Sequence, residues 1–166
     1  TFAQLFSAAK RAALYFSTGN CKFVCLLDTS SPATPIALMG AAIAGIPYVP
    51  LNYRLSEEQL TPLLDRISPA YLISGPRNET YDFDGWVVQD SADFLSDVLN
   101  GEEVEVTWHE DPSAVAVQLF TSGTTGIPKA ALLRHEHLVS YILGSVEFMG
   151  ALEDEAALVS VPPYHI

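Results

Sequence analysis

A run of small polar residues lies between two apolar flanks in QLFTSGTTGIPKAALL, residues 118 to 133. The nine residues from 121 to 129 include four hydroxyl side chains, two glycines and one lysine. Glycine lets the backbone turn and approach a ligand closely, and consecutive backbone N–H groups can form a nest for an anion. A simple turn between two strands needs only about two residues. The length and chemistry of this segment therefore predict a phosphate-binding loop rather than a turn rich in Gly and Thr.

The segment differs from the phosphate loop of kinases and ATPases, G-x-x-x-x-G-K-S/T. Gly123 and Lys129 have the required separation, but Pro128 stands where the second glycine should be, and Ala130 where the metal-binding hydroxyl should be. The apolar residues that follow have the pattern of a strand. A helix N-terminus is therefore not expected to form this anion site.

The elements that would position this loop follow from the changing period of the apolar residues. Helices are predicted from residue 2 to near 19, over 32–45, from a capping box at 56–59, over 91–100 and over 135–149. Strands are predicted over 22–28, within 46–52, and over 70–74, 86–89, 114–122, 130–134 and 156–162. The segment 75–85 is predicted to be a loop, and 102–112 an exposed acidic stretch. Alternating helices and nearly continuous apolar strands indicate an α/β fold with a mainly parallel sheet flanked by helices.

Composition limits the class of partner. The chain of 166 residues suits one domain, and its 49% hydrophobic content is enough to bury a sizeable core. Eight basic and 20 acidic residues give a net charge of −12, which argues against a nucleic-acid or anionic membrane partner. No apolar run approaches the roughly 18 residues of a transmembrane segment.

The cysteines and the chain ends bear on location and completeness. Cys21 and Cys25 lack a second cysteine pair or a neighbouring histidine, so buried, reduced thiols are predicted rather than a zinc site. Reduced thiols and the lack of a signal pattern at the N-terminus favour the cytoplasm. The chain begins without methionine and stops directly after a predicted strand, so it is expected to be part of a longer protein.

The stretch from Thr121 to Lys129 resembles the signature of the adenylate-forming superfamily, which contains acyl-CoA synthetases, aryl-CoA ligases, luciferases and the adenylation domains of peptide synthetases. The family pattern is a hydroxyl- and glycine-rich stretch ending in Pro-Lys, and all nine positions agree. Residues 40–60, 132–139 and 162–166 are similar to further family motifs in the same order. In the second of these motifs His135 matches the family histidine, whereas Arg134 and His137 replace the usual threonine and asparagine.

The resemblance implies a reaction with ATP·Mg²⁺ in which a carboxylic acid, fatty or aryl, becomes an acyl-adenylate and then a thioester of CoA. It also implies roles for individual residues. Lys129 would offset the charge of pyrophosphate, Thr121 would in addition touch Mg²⁺, and His165 would face the acyl carboxylate and the nucleotide. The phosphates would be held by the hydroxyls and glycines of the loop: Thr121, Ser122, Gly123, Thr124, Thr125 and Gly126. The other histidines, His109, His135 and His137, are expected to be exposed or to cap a helix.

The resemblance covers only the first part of such an enzyme. Residues 1–166 would be the beginning of the large N-terminal AMP-binding domain, because the family's adenine, ribose and metal-binding segments and the catalytic lysine of the C-terminal domain come later. The chain alone is therefore expected to be inactive, and to self-associate through an uncovered apolar face. Three alternatives remain open: an enzyme that transfers the adenylate to a carrier-protein thiol, an acyl-AMP ligase that uses no thiol, and a non-catalytic nucleotide- or phosphate-binding module.

Overall fold

The computed structural model describes residues 1–75, 83–121, 128–147, 150, 155–156, 158–159, 161–162 and 164. The α-helices are α1 (Phe2–Thr18), α2 (Ala33–Ala44), α3 (Glu57–Leu64), α4 (Ser91–Asn100) and α5 (His135–Ser145), and a short 3₁₀ helix, Asp65–Ile67, follows α3. The strands are β1 (Phe23–Leu27), β2 (Tyr48–Pro50), β3 (Ala70–Ser74), β4 (Val87–Asp90), β5 (Val115–Thr121) and β6 (Lys129–Arg134).

The six strands form one sheet in the order β4-β3-β1-β2-β5-β6. The first five strands in this order pair in parallel, and β6 pairs with β5 in the antiparallel direction. All five residues of β3 are buried, as expected for a strand covered on both faces. The predicted α/β fold with a mainly parallel sheet flanked by helices is confirmed.

Alternate side chains of the strands enter two cores on opposite faces of the sheet. Val24 and Leu26 of β1 pack with α1, α2 and α4, whereas Cys25 and Leu27 pack with α3 and the 3₁₀ helix. Helices α1 and α2 approach closely because small residues line their contact. Helices thus cover both faces of the central strands, and the loops at the ends of these strands are left to form a site.

The predicted helices are confirmed, although α5 ends at Ser145 rather than at residue 149, and the predicted strands are confirmed except for the last. In 156–162, none of the residues that the structure describes is in a strand, and the side chain of Leu158 is 92% exposed. An apolar strand needs a hydrogen-bonded neighbour and a covered face, and this part of the chain has neither among the described residues. Within the described ranges, no helix is long and apolar enough to cross a membrane.

Both cysteines are free thiols, as predicted. Cys25 is completely buried in β1, and burial raises the pKa of its thiol. Cys21 is partly buried, and its thiol donates to the carbonyl of Phe16 at 3.0 Å. Their environment is that of structural cysteines rather than of reactive ones.

Candidate functional site

The predicted phosphate-binding loop follows β5 at the carboxyl edge of the parallel strands. Because β1, β2, β3 and β5 run in the same direction, the segments after them share this edge of the sheet. In open α/β sheets, ligands bind outside the carboxyl ends of the strands. The topology therefore puts the two ends of the loop at the edge where such a fold has its binding site.

The neck of the loop is formed by its first and last residues. Thr121 and Lys129 face each other as the final register pair of β5 and β6, and the Thr121 hydroxyl donates to the Lys129 carbonyl at 3.3 Å. The Lys129 side chain is exposed. The remaining predicted site residues lie outside the described part of the chain: Ser122, Gly123, Thr124, Thr125, Gly126 and His165.

The chemistry of Thr121 fits a metal ligand better than a phosphate donor in this conformation. A hydroxyl has one proton and two acceptor lone pairs, and here the proton goes to the Lys129 carbonyl. The oxygen lone pairs are hard ligands of the kind that Mg²⁺ prefers. Before the Thr121 hydroxyl could donate to a phosphate, its 3.3 Å hydrogen bond to the Lys129 carbonyl would have to break.

Arg66, in the 3₁₀ helix, contacts both sides of the neck. Its Nη1 donates to the carbonyl of Pro128 at 2.6 Å, and its Cζ lies 5.1 Å from the ring centroid of Phe120. No pattern in the sequence predicts these contacts, because Arg66 and Pro128 are 62 residues apart. The one sequence feature that could draw attention to Arg66 is that basic residues are few in this acidic chain.

In the loop after β2, Tyr53 contacts Tyr164 of the 162–166 motif. The rings of Tyr53 and Tyr164 are 5.8 Å apart in an edge-on arrangement, and the guanidinium of Arg54 lies 5.5 Å from the Tyr53 ring centroid. Since β2 is the neighbour of β5, Tyr164 is at the same edge of the sheet as the neck. Two of the motifs that the sequence singles out are therefore brought to one edge, although His165 itself is not described.

The histidines near α5 belong to the junction between β6 and α5. His137 Nδ1 accepts from the backbone N–H of Arg134 at 3.2 Å, so His137 caps the helix as predicted. The backbone N–H of His135 donates to the Ala114 carbonyl at 3.2 Å. Partial burial, together with the nearby His109, lowers the pKa of His135. This junction is at the opposite end of β6 from Lys129, so these histidines are remote from the neck.

Comparison with known proteins assigns the chain to a family. The family model "AMP-binding enzyme" matches residues 1–166, and the chain belongs to that family. Feruloyl-CoA synthase of Amycolatopsis sp. is 32% identical over 149 residues, which are 86% of this chain and 29% of that protein. One of the plipastatin synthase polypeptides of Bacillus subtilis is 29% identical over 164 residues, which are 96% of this chain and 6% of that protein.

A solved structure has the same fold. It is o-succinylbenzoate CoA synthetase from Bacillus subtilis in complex with the acyl-adenylate intermediate, with a TM-score of 0.72 and 25% sequence identity. The match covers 99% of this chain and 44% of that one. The chain thus spans less than half of each of these proteins. The resemblance to adenylate-forming enzymes that the loop motif predicted is confirmed.

Proposed function

We propose that residues 1–166 are the first part of the N-terminal AMP-binding domain of a cytoplasmic acid–CoA ligase. The enzyme would use ATP to activate a carboxylic acid, fatty or aryl, and would then form its CoA thioester. The observation that carries this proposal is the nine-residue signature placed at the carboxyl end of β5, with Lys129 on the opposite side of its neck. The similarity to feruloyl-CoA synthase supports CoA as the acceptor.

The proposed reaction has two half-reactions. In the first, an oxygen of the acid attacks the α-phosphorus of ATP, the bond to the β-phosphate breaks, and pyrophosphate leaves. In the second, the sulfur of CoA attacks the acyl carbonyl and AMP leaves. Neither step needs a nucleophile from the protein, so the task of this chain is to bind and orient the phosphates and to stabilise the charge that develops on their oxygens.

Each side chain of the loop has a role in that task. The hydroxyls and backbone N–H groups of 121–126 would donate to the β- and γ-phosphates, and Lys129 would stabilise the departing pyrophosphate. Thr121 would also offer its oxygen to Mg²⁺, which when bound neutralises part of the phosphate charge. His165, which follows Tyr164 in the sequence, would face the acyl carboxylate and the nucleotide.

A second candidate is transfer of the acyl group to a carrier-protein thiol instead of CoA. The similarity to the plipastatin synthase polypeptide over 96% of this chain favours it. Both candidates share the adenylation step and differ in the acceptor. Incubating the full-length enzyme and its acyl-adenylate with CoA, or with a carrier protein bearing a thiol arm, distinguishes them by which thioester forms.

We expect the 166-residue chain by itself to show no acid-dependent exchange of pyrophosphate into ATP. It spans less than half of the related proteins, and phosphate contacts alone lack the buried surface that an adenine ring adds. Isotope exchange measured beside the full-length enzyme tests this expectation. Exchange by the chain at a rate comparable to that of the full-length enzyme would contradict it.

Replacing Lys129 tests the phosphate role directly. In the full-length enzyme, Lys129→Ala is expected to slow adenylation by about 10- to 1000-fold, because one charge that stabilises the transition state is lost. Formation of the thioester from preformed acyl-adenylate should be affected much less, since pyrophosphate has already left. Single-turnover kinetics of the two half-reactions measure both effects.

A matched control is Lys22→Ala, which removes a lysine that lies at the other end of the parallel strands, before β1. Its two half-reaction rates should equal those of the unchanged enzyme. If Lys129→Ala slowed both half-reactions equally, or neither, the proposed phosphate role of Lys129 would be wrong.

A further inference from the structure

Arg66 ties the neck of the loop to the helical layer beneath the sheet. Arg66 is the middle residue of the 3₁₀ helix Asp65–Ile67, which directly follows α3. Ile67 is fully buried in the same core as Leu60 and Leu64 of α3. The backbone of Arg66 is therefore held by the core, while its side chain reaches across to the strands.

The two contacts of Arg66 are on opposite sides of the neck. Phe120 is the residue before Thr121 at the end of β5, and Pro128 is the residue before Lys129 at the start of β6. Phe120 packs against the core that contains Ile67, so the ring under the guanidinium is itself positioned by that core. One cation thus contacts Phe120, two residues before the segment 122–127, and Pro128, directly after it.

The contact with Pro128 acts on Lys129 through the peptide bond. The carbonyl that accepts from Arg66 and the N–H of Lys129 belong to the same planar peptide unit. Fixing the direction of this carbonyl therefore fixes the orientation of that plane and restricts the directions in which the Lys129 side chain leaves the backbone. The carbonyl of Lys129 is held in turn by the Thr121 hydroxyl.

We propose that Arg66 is a positioning residue for adenylation: it holds the peptide unit between Pro128 and Lys129 against Phe120, so that the Lys129 ammonium is aimed at the phosphates of ATP. This inference rests on the proposed function of the loop. It assigns to Arg66, which follows α3 and is 62 residues from Pro128 in sequence, a role in the chemistry at the neck. Arg66 acts through Lys129.

The test uses the full-length enzyme and compares three arginine variants. Arg66→Ala removes both contacts. Arg66→Lys keeps a donor for the Pro128 carbonyl but loses the planar group that lies over Phe120. Arg134→Ala is the matched control, because Arg134 Nη1 also donates to a backbone carbonyl, that of Ser113, at the far end of the same strand β6.

The expected result is a selective loss in the first half-reaction. Arg66→Ala should slow single-turnover adenylation, or raise the KM for ATP, by about 3- to 30-fold, because a hydrogen bond from a charged group is lost at an exposed position where water replaces part of it. Thioester formation from preformed acyl-adenylate should stay within about twofold. Arg66→Lys should recover most of the adenylation rate, and Arg134→Ala should change neither step.

The double variant with Lys129→Ala shows whether Arg66 acts through the lysine. If it does, Arg66→Ala adds little to the loss that Lys129→Ala causes alone. Additive losses, or an Arg66→Ala enzyme whose adenylation matches that of Arg134→Ala, would overturn the inference even if thermal stability fell. These outcomes differ from failure of the proposed function, in which Lys129→Ala itself would leave adenylation unchanged.

Discussion

Asp28 joins three segments at the carboxyl edge of the sheet. Its side chain is almost completely buried directly after β1 and accepts from the backbone N–H of Thr29 at 2.6 Å and from the Ser91 hydroxyl at 2.6 Å. Gly75, directly after β3, lies so close that a Cβ atom there would be 2.1 Å from Asp28 Oδ1. A buried carboxylate needs such donors, because burial without them costs several kcal/mol.

Gly75→Ala should therefore destabilise the protein by about 1 to 3 kcal/mol. The added methyl group displaces the Asp28 carboxylate and breaks its hydrogen bonds to Thr29 and Ser91. The free energy of unfolding, measured by urea denaturation, gives the loss. Gly19→Ala is the matched control, since the nearest atom of the described residues to a Cβ atom at Gly19 would be Val87 Cγ2, at 3.7 Å. Equal effects of the two substitutions would show that the contact with Asp28 is unimportant.

The residues of the neck show what sequence can and cannot predict at this scale. Thr121 and Lys129 are predicted from their own segment, because the pattern of a phosphate loop concentrates its donors within a few residues. Arg66 is not, because its contribution depends on α3 and β6 meeting in space, and the sequence around it is that of an ordinary helix end. Asp28 and Ser91 were missed for the same reason.

Helices α1 and α2 pack closely because their contact is lined by small residues. A Cβ atom on Gly40 of α2 would lie 2.8 Å from the Cβ of Ala12 and 3.1 Å from both the Ala9 carbonyl oxygen and Phe16 Cε2. The Ala12 methyl group is fixed to the backbone of α1 and cannot turn aside. A larger residue at Gly40 would therefore have to push the two helices apart.

Gly40→Ala should lower the free energy of unfolding by about 1 to 3 kcal/mol, although alanine is the better helix former by about 1 kcal/mol. Gly144→Ala in α5 is the matched control, because a Cβ atom there would meet no atom of the described residues within 4 Å. The control should gain up to about 1 kcal/mol from helix propensity alone. Thermal unfolding followed by circular dichroism compares the two. A stabilising effect at both positions would mean that the helices separate without cost.

The sequence predicts those elements whose signals lie within their own segment, such as strands that are buried on both faces of the sheet. Buried strands such as β1 and β3 have continuous apolar runs, and α4 begins where Asp90 accepts from the N–H groups of its first turn. The predicted strand over 156–162 failed among its described residues because apolar composition alone does not supply a neighbouring strand. Which strand a segment pairs with depends on the whole fold, and the residues of the segment alone do not determine it.

At the scale of the whole molecule, α5 touches the core only at its edge, where the partly buried Leu138 packs against it. None of its residues is buried, and four of its apolar side chains remain more than half exposed: Val139, Tyr141, Ile142 and Leu143. An open groove of about 420 Å³ runs between this helix and Pro112. A monomer rarely exposes so many large apolar side chains on one element. The face is expected to be covered in the full-length enzyme, and the chain alone should cover it with a second copy.

The isolated chain is therefore expected to self-associate, and salt should strengthen the association. Its net charge of −12 makes two copies repel each other, and raising the ionic strength from 0.15 M to 1 M shortens the screening length from about 8 Å to about 3 Å. Sedimentation velocity at both salt concentrations measures the shift. Leu143→Glu should weaken association by putting a charge in the apolar face, whereas Leu99→Glu, at a leucine of α4 that is 50% exposed, should not.

A clean monomer at both salt concentrations would contradict the expectation. Association that salt weakens would also contradict it, because ion pairs rather than α5 would then join the copies.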